Sequence, residues 1–212
     1  MSKTKNKVMH IAVAGNIGSG KTTLANMLAK HYGWDVQLED MDDNPYISDF
    51  YEDMQRWSFN LQVYFLNARY NHIKRIRENQ KPVIQDRTMY EDANIFAPNL
   101  HAMGLMSTRD FENYSNLFNS LNAMIQPPDL LIYLRGTIPT LVKQIQQRGR
   151  DYEDSIRLDY LKRLNERYEA WISTYKLGKM VIFNIDELDF ENDPNDANFV
   201  INKIEAELNG LF

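Results

Sequence analysis

The sequence predicts an α/β fold, in which a central parallel β-sheet carries helices on both faces. Short apolar runs rich in β-branched residues alternate along the chain with longer segments of helical periodicity. The first apolar run also leads directly into a glycine-rich turn and then into strong helix formers. We therefore expect parallel strands over residues 8–14, 34–38, 83–85, 129–134 and 180–183.

The glycine-rich turn after the first strand fits the pattern G-x-x-x-x-G-K-[ST] from Gly15 to Thr22. Its glycines allow a tight turn whose N–H groups point at phosphate oxygens, at the N-terminus of a helix. Lys21 would reach the β- and γ-phosphates, and the Thr22 hydroxyl would bind Mg²⁺. A turn that binds nothing is the alternative, but the flanking strand and helix favour a nucleoside triphosphate site. The predicted triphosphate-binding residues of this P-loop are Gly15, Asn16, Ile17, Gly18, Ser19, Gly20, Lys21, Thr22 and Thr23.

Helices are predicted between the strands. The segment from residue 47 to 78 reads as two helices, and the second has apolar residues at three- and four-residue steps. Proline pairs and glycines separate the later helices from the strands. These helices are expected over 91–96, over 107–125 with Thr108 as a plausible N-cap, over 137–147, over 158–175 and in a last segment that ends near Leu208.

Composition and charge limit the class of protein. The 212 residues, 43% hydrophobic and 25% charged, are typical of one globular domain over 1–212. A net charge of -5 argues against nucleic-acid binding, which normally needs a basic surface. The chain has no cysteine, which excludes disulfides and fits a reducing compartment. Without an apolar run of about 18 residues or a targeting segment, we expect a cytoplasmic protein with no membrane partner.

Two further polar clusters follow strand ends, where ligands bind in parallel sheets. Asp86 and Arg87 follow the third strand, and Asp86 could hold Mg²⁺ directly or through water. Glu39 follows the second strand and could accept a proton from an attacking hydroxyl, or only orient it. Arg148 and Arg150 could close over the phosphates during transfer. Each could instead be an ordinary solvated loop residue, but their convergence on one sheet edge favours phosphoryl transfer.

Together these motifs resemble the family of deoxycytidine, deoxyguanosine and deoxyadenosine kinases. This series covers most of the chain and is far more specific than the P-loop alone. The resemblance implies a P-loop kinase fold with an arginine-bearing lid at about 145–156, Mg²⁺ with ATP as phosphoryl donor, and a homodimer. The matching pieces, in order, are GNIGSGKTTL from Gly15, Glu39, Tyr51, RWSFNLQ from Arg56, Arg69, DRT from Asp86, Asp92, NIFA from Asn94, and Arg148-Gly149-Arg150 followed by Glu153.

The resemblance also implies roles around the reacting hydroxyl. Glu39 would be the base for the nucleoside 5′-hydroxyl, and Arg87 would bind near that oxygen and hold the carboxylate. Tyr51 and Glu153 would bind the 3′-hydroxyl of the deoxyribose. With the donor-side cations, the residues implied in catalysis are Glu39, Arg87, Lys21, Arg148 and Arg150.

For the base, the resemblance implies that Gln62 faces its edge, since an amide both donates and accepts. Arg69 and Asp92 would form a charged pair near the far edge of the base. Phe96 would stack on the base, although a plain core position is the alternative. In the donor half, the segment 189–190 (Asp189 and Phe190) resembles the loop that contacts the adenine of ATP.

The chain departs from the family pattern in two places. Gln144 stands one helical turn before the Arg-Gly-Arg motif, where relatives often have arginine, and the neighbouring Lys143 lies at a different angle on the helix. Asp86 replaces the glutamate of many relatives and gives a shorter arm to the same metal. Lys143 could compensate for the first departure, which bears on how many cations the lid supplies and not on the reaction.

Two alternative functions stay open, a nucleoside monophosphate kinase and a P-loop switch. The acidic segment 39–53 repels an acceptor phosphate, and no N-K-x-D stretch for guanine is found. Among the bases, the resemblance of the segment 50–66 to bacterial members of the family favours deoxyadenosine, with another purine or deoxycytidine possible. The helix over 107–125 has more apolar residues than one core face needs, as a dimer interface or a wide buried face: Phe111, Tyr114, Leu117, Phe118 and Leu121.

Overall fold

A computed structural model describes residues 9–39, 44–150 and 156–210. It contains one five-stranded sheet with the strand order β2-β3-β1-β4-β5, and all of its pairings are parallel. Each predicted strand is present within about two residues of its expected bounds, so the α/β prediction is confirmed. The strands are β1 His10–Gly15, β2 Asp35–Gln37, β3 Val83–Asp86, β4 Leu130–Arg135 and β5 Lys179–Asn184.

The helices follow the predicted order with two local differences. The helix expected over 91–96 is longer, because it starts in α4, passes through a π-helical segment at Asp92–Phe96 and continues in α5. The N-cap of α6 is Ser107, whose hydroxyl accepts from the Asp110 N–H at 3.1 Å, so the expectation of Thr108 was one residue off. The α-helices in the described part of the chain are α1 Lys21–Tyr32, α2 Ile47–Glu52, α3 Met54–Asn79, α4 Met89–Glu91, α5 Ala97–Ala102, α6 Thr108–Asn122, α7 Ile138–Arg148, α8 Leu158–Ser173 and α9 Pro194–Asn209.

Apolar cores lie on both faces of the sheet, as expected for parallel strands. Ile11 and Val13 of β1 point to one face and pack with α1, α7 and α9. Ala12 and Ala14 point to the other face and pack with α3, α6 and α8. Within the described ranges, no helix is both long and apolar enough to cross a membrane. The cytoplasmic location stays a prediction.

The strand order places a crevice between β1 and β3. From β1 the chain passes through α1 to β2 on one side, whereas from β3 it crosses to β4 on the other side of β1. The loops after these two neighbouring strands therefore diverge, which is the position where open parallel sheets bind ligands. The register pairs Val13 with Asp86, so the P-loop and the end of β3 flank the same crevice.

Candidate active site

The P-loop adopts a turn that only glycine fits at its centre. Gly18 has a φ of 80°, and a Cβ there would lie 2.6 Å from the backbone oxygen of Leu141. Gly20, with a φ of 82°, is the N-cap of α1. The Asn16 amide donates to the Leu161 carbonyl at 3.1 Å and to Asn165 Oδ1 at 3.2 Å, which ties the loop to α8. The P-loop is thus held in place by α8 and leads directly into the N-terminus of α1.

Lys21, the first residue of α1, lies at the junction of two cavities. Its Nζ donates to the Asn16 carbonyl at 2.9 Å. Burial and the nearby Arg87 guanidinium lower the pKa of Lys21 to about 7, although Asp86 and Glu39 act in the opposite direction. These carboxylates offset the cost of burial only in part, so an anionic ligand would further stabilise the Lys21 ammonium.

Thr22 and Asp86 form the one pair with the donor set expected for a P-loop metal in the described ranges. Thr22 Oγ1 donates to Asp86 Oδ2 at 2.5 Å, and Asp86 Oδ1 is buried without a hydrogen-bond partner in the described part of the chain. Burial raises the pKa of Asp86, against the attraction of Lys21. No group of three or more His, Cys, Asp or Glu side chains gathers elsewhere in those ranges, so phosphate oxygens and water would complete the shell of a Mg²⁺ ion. The pair fits such an ion.

A cavity beside the P-loop gathers most of the predicted acceptor residues. Its walls come from α1, the end of β2, α2, α3, the end of β3 and the π-helical segment. Apolar side chains, including Phe50 and Leu61, form the rest of the wall. The predicted residues that line this cavity are Ile17, Lys21, Thr22, Glu39, Tyr51, Gln62, Arg69, Arg87, Asp92, Phe96, Arg148 and Arg150. Glu153 lies outside the described residues.

Glu39 is held between two arginines. Arg87 Nε lies 3.3 Å from Glu39 Oε2, and Arg69 Nη2 contacts Glu39 Oε1. Burial alone would raise the pKa of Glu39, but the charges of Arg87, Arg69 and Lys21 outweigh it and lower the pKa to about 2. The Glu39 carboxylate is therefore ionised at neutral pH. The contact with Arg69 was not expected from the sequence.

The far end of the cavity contains Arg69, Asp92 and Gln62. Arg69 Nη1 lies 2.9 Å from Asp92 Oδ2, as predicted for this pair. Burial raises the pKa of Asp92 to about 7 against the attraction of Arg69 and Arg87. Gln62 is 2% exposed, and its Oε1 has no hydrogen-bond partner within the described residues. This end of the cavity therefore combines a charged pair with an unused amide acceptor.

Phe96 belongs both to the cavity wall and to the apolar core. Its ring lies 4.6 Å from the Arg87 guanidinium and meets the Tyr168 ring edge-on, with centroids 6.4 Å apart. Only 9% of Phe96 is exposed. The two readings offered by the sequence, base stacking and core packing, are thus compatible at this position.

A second, more open groove runs along the other side of the P-loop. Arg148 and Arg150 line both this groove and the acceptor cavity, so they stand between the two. Asp189 also lines the groove, where its carboxylate accepts from the Asn192 side chain at 2.9 Å. Phe190 is buried beneath the loop, with its ring near Gly20. The groove is the remaining space for a triphosphate and its base: it is lined by Gly18, Gly20, Lys21, Thr22, Thr23, Lys143 and Gln144.

Glu91 and Tyr168 are two buried polar residues near the site that the sequence did not point to. Tyr168 donates to Glu91 Oε1 at 2.8 Å and accepts from Arg87 Nη1 at 2.9 Å. The pattern T-x-x-E from Thr88 to Glu91 could have indicated Glu91, because this pattern is typical of a capping box, and the structure has one there. Tyr168 falls on the apolar stripe of α8 and is indistinguishable from core by periodicity.

A P-loop beside a cavity, at the carboxyl edge of a β2-β3-β1-β4-β5 parallel sheet, defines the class of P-loop kinases. Within this class, the model of the family described as deoxynucleoside kinase matches residues 11–209. The chain belongs to the deoxynucleoside kinase family, and it is an enzyme that phosphorylates deoxynucleosides.

Named relatives agree with this assignment. The chain is 40% identical over 199 residues to the deoxyadenosine/deoxycytidine kinase of Bacillus subtilis (strain 168), covering 92% of this chain and 91% of that protein. It is 35% identical over 207 residues to the deoxyguanosine kinase of Lactobacillus johnsonii, with 93% and 92% covered. The structure of deoxyadenosine kinase from M. mycoides with bound dATP matches with a TM-score of 0.82 and 29% identity, covering 93% of this chain and all of that one.

Proposed function

We propose that this deoxynucleoside kinase transfers the γ-phosphoryl group of ATP to the 5′-hydroxyl of deoxyadenosine, as a step of nucleotide salvage. The observation that carries the proposal is the ionised Glu39, buried with Arg87 in the cavity next to the P-loop. A carboxylate held at that place can bind a neutral hydroxyl but repels an acceptor phosphate. This favours a nucleoside over a monophosphate as acceptor.

The donor half would bind the triphosphate along the open groove. Backbone N–H groups of the P-loop and Lys21 would bind the β- and γ-phosphates. Thr22 and Asp86 would hold Mg²⁺, which when bound neutralises charge on the phosphate oxygens. Arg148 and Arg150 lie between the groove and the cavity, where charge develops during transfer. The segment 189–190 would lie near the adenine of ATP.

At the acceptor, the 5′-oxygen forms a bond to the γ-phosphorus while the bond from that phosphorus to the bridging oxygen of ADP breaks. Glu39 would orient the hydroxyl and take its proton. A carboxylate with a pKa of about 2 is a weak base, but phosphoryl transfer passes through a loose transition state in which the nucleophile needs orientation more than deprotonation. Arg87 would keep the carboxylate in place, and Tyr51 and Glu153 would bind the 3′-hydroxyl.

For the base, we propose deoxyadenosine as the preferred substrate and deoxycytidine as the second. The Gln62 oxygen, which has no partner among the described residues, can accept from the exocyclic amine that adenine and cytosine share, and the Gln62 amide can donate to the adjacent ring nitrogen. Phe96 would stack on the base, and the pair of Arg69 and Asp92 would meet its far edge. The relative with 40% identity, named for deoxyadenosine and deoxycytidine, supports the same choice.

The substrate proposal is tested by assaying the four natural deoxynucleosides at equal concentration with ATP and Mg²⁺. We expect the fastest turnover with deoxyadenosine. Deoxyadenosine monophosphate is the matched control, because it presents the same base with a charged acceptor, and we expect no product from it. If deoxyadenosine were the slowest of the four, the base preference would be wrong. ADP formation independent of any acceptor would instead indicate a nucleotide switch.

We also propose that the enzyme is a homodimer that forms through α3 and α6. Leu117 on α6 is 40% exposed and Met124, just beyond the helix, is 56% exposed. Tyr114 of the same helix is buried in the core, so only part of the apolar excess of α6 faces outwards. Sedimentation should show a dimer that Leu117→Glu dissociates. A monomer at all concentrations would overturn this proposal.

A further inference from the structure

A single buried carboxylate, Glu91, connects the P-loop strand to the acceptor side of the site. Glu91 is fully buried. Its Oε1 accepts from the Tyr168 hydroxyl at 2.8 Å and from the Gly15 N–H at 3.3 Å. Its Oε2 accepts from the Thr88 N–H at 2.7 Å, which closes the capping box of α4. Both oxygens are therefore fixed by donors from three different segments.

Tyr168 extends this connection to Arg87. Its hydroxyl has one proton, which it donates to Glu91, and it accepts from Arg87 Nη1 at 2.9 Å. Because a guanidinium only donates and a carboxylate only accepts, the direction of the chain is unique: Arg87 donates to Tyr168, and Tyr168 donates to Glu91. The Tyr168 ring is fixed by Tyr133, which stacks on it at 5.8 Å, and by the edge contact with Phe96.

Arg87 has a backbone conformation that needs such support. Its φ is 65°, in the left-handed region, which is costly for a residue with a β-carbon. The N–H of Arg87 donates to the Val13 carbonyl at 2.9 Å, which fixes the start of the side chain. The guanidinium then has Tyr168 at Nη1, with Glu91 Oε1 3.8 Å from the same nitrogen, and Glu39 at Nε. The contacts at these two ends determine where its charge lies.

We propose that Glu91 and Tyr168 are positioning residues for the phosphoryl transfer. They hold Arg87 against Glu39, and through the Gly15 N–H they tie this pair to the strand that leads into the P-loop. Neither side chain lines the acceptor cavity, so they act through Arg87 and do not touch the substrate. This inference rests on the proposed role of Glu39.

The test variant is Tyr168→Phe, which removes one hydroxyl and keeps the ring that packs between Tyr133 and Phe96. We expect kcat to fall by about 10²-fold, the cost of a small misplacement of reacting groups, while KM for ATP stays within about twofold. Arg87 would be less firmly fixed against Glu39, so the pKa of Glu39 would rise from about 2, and the acid limb of the kcat profile would move to higher pH, although Arg69 and Lys21 would still hold this pKa down. Glu91→Gln, which keeps the shape but loses the charge, should shift the same limb.

The matched control is Tyr175→Phe. The Tyr175 hydroxyl is also buried, but it has no hydrogen-bond partner within the described ranges, so its loss should leave kcat and the pH profile unchanged. If Tyr168→Phe and Glu91→Gln lowered only the melting temperature and left kcat and the acid limb as in the wild type, the two residues would be structural and the proposal would be wrong.

The double variant Glu39→Gln/Tyr168→Phe separates this proposal from the function on which it rests. If Tyr168 acts through Arg87 on Glu39, the double variant should be about as slow as Glu39→Gln alone. If the losses of kcat in the two single variants instead multiplied in the double variant, the positioning role would be contradicted. A normal rate for Glu39→Gln alone would instead show that Glu39 is not the base. The proposed function of Glu39 would then be wrong, whatever kcat is measured for Tyr168→Phe.

Discussion

The two halves of the proposed active site are formed by different kinds of structure. The donor half uses a contiguous stretch, 15–23, whose backbone N–H groups and glycine conformations define the binding turn. The acceptor half uses ionisable side chains from separate segments, which pair with one another inside the protein: Glu39, Arg69, Arg87 and Asp92. The first half depends on local geometry, whereas the second depends on the tertiary arrangement of helices around the sheet.

This difference determines how each half should respond to change. A phosphate-binding turn draws on many N–H groups, so the loss of one side chain removes only part of the interaction. In the acceptor half, each arginine lies beside two carboxylates: Arg69 contacts Glu39 and Asp92, and Arg87 lies 3.3 Å from Glu39 and 3.8 Å from Glu91. Removing one member leaves buried charges uncompensated, which is costly. We therefore expect the largest losses in the acceptor half.

The largest effect is expected for Glu39→Gln. This change keeps the size of the side chain but removes the carboxylate that would orient the 5′-hydroxyl and accept its proton. We expect kcat to fall by about 10²–10⁴-fold, the usual contribution of a positioned acid–base group. ATP affinity, measured by fluorescence or calorimetry, should stay near the wild-type value.

Glu166→Gln is the matched control for that experiment, because Glu166 is exposed on α8. Its kinetic constants should equal those of the wild type. A near-normal kcat for Glu39→Gln would place the base elsewhere and would remove the expected contrast between the two halves.

An intermediate effect is expected for Asp86→Asn in the donor half. The Asp86 carboxylate is bonded to the Thr22 hydroxyl and has a second oxygen without a partner in the described ranges. Loss of its charge should raise the Mg²⁺ concentration at half-maximal rate by about 10- to 100-fold, as is usual when a group that orients a metal ligand is changed. Saturating Mg²⁺ should restore most of the rate. Asp35→Asn, at an exposed position of β2, should leave the requirement unchanged, and an unchanged requirement in Asp86→Asn would exclude Asp86 from the metal site.

A third effect is expected in the donor half, where Lys21 should take up a proton when ATP binds. The pKa of Lys21 is lowered to about 7 chiefly by burial, so at pH 8 the ligand-free amine is mostly neutral. Bound phosphates would raise this pKa again, so ATP binding should take up as much as one proton at pH 8 and almost none at pH 6. ATP affinity should correspondingly weaken by up to about tenfold per pH unit above pH 7.

Calorimetry in buffers with different ionisation enthalpies measures this proton uptake. Lys21→Met should abolish it. Binding of ATP to the wild type at pH 8 without proton uptake would show that Lys21 is already charged in the ligand-free enzyme.

The same contrast explains what could be predicted from the sequence. The P-loop and the five strands depend on neighbours along the chain, so glycine spacing and apolar runs were enough to place them within about two residues. Glu39, the proposed base, and its partner Arg87 could be singled out because both follow strand ends, where parallel sheets bind their ligands. The pairing of Arg69 with Asp92 was implied by family resemblance and is present in the structure.

Other features could not be predicted, because they depend on the packing of distant segments. The contact of Arg69 with Glu39 requires α3 to lie beside the end of β2, which no local pattern specifies. Tyr168 looks like one more core residue of α8, although its hydroxyl bonds both Arg87 and Glu91. The spacing of apolar residues along the sequence also does not indicate the π-helical segment at Asp92–Phe96.

The smallest effect, and the finest test of the contrast, is expected at Gln144. Its side chain lines the donor groove, where an arginine would add one cation near the triphosphate. Because the groove is open to solvent, the added charge should contribute only about 0.2–1 kcal/mol, so Gln144→Arg should lower KM for ATP by about 1.5- to fivefold with kcat almost unchanged. The gain should shrink as ionic strength rises. Gln146→Arg adds the same charge to the same helix on an exposed residue outside the groove, and it should have no effect. A decrease in KM for the deoxynucleoside, with none for ATP, would show that this position of α7 serves the acceptor half instead.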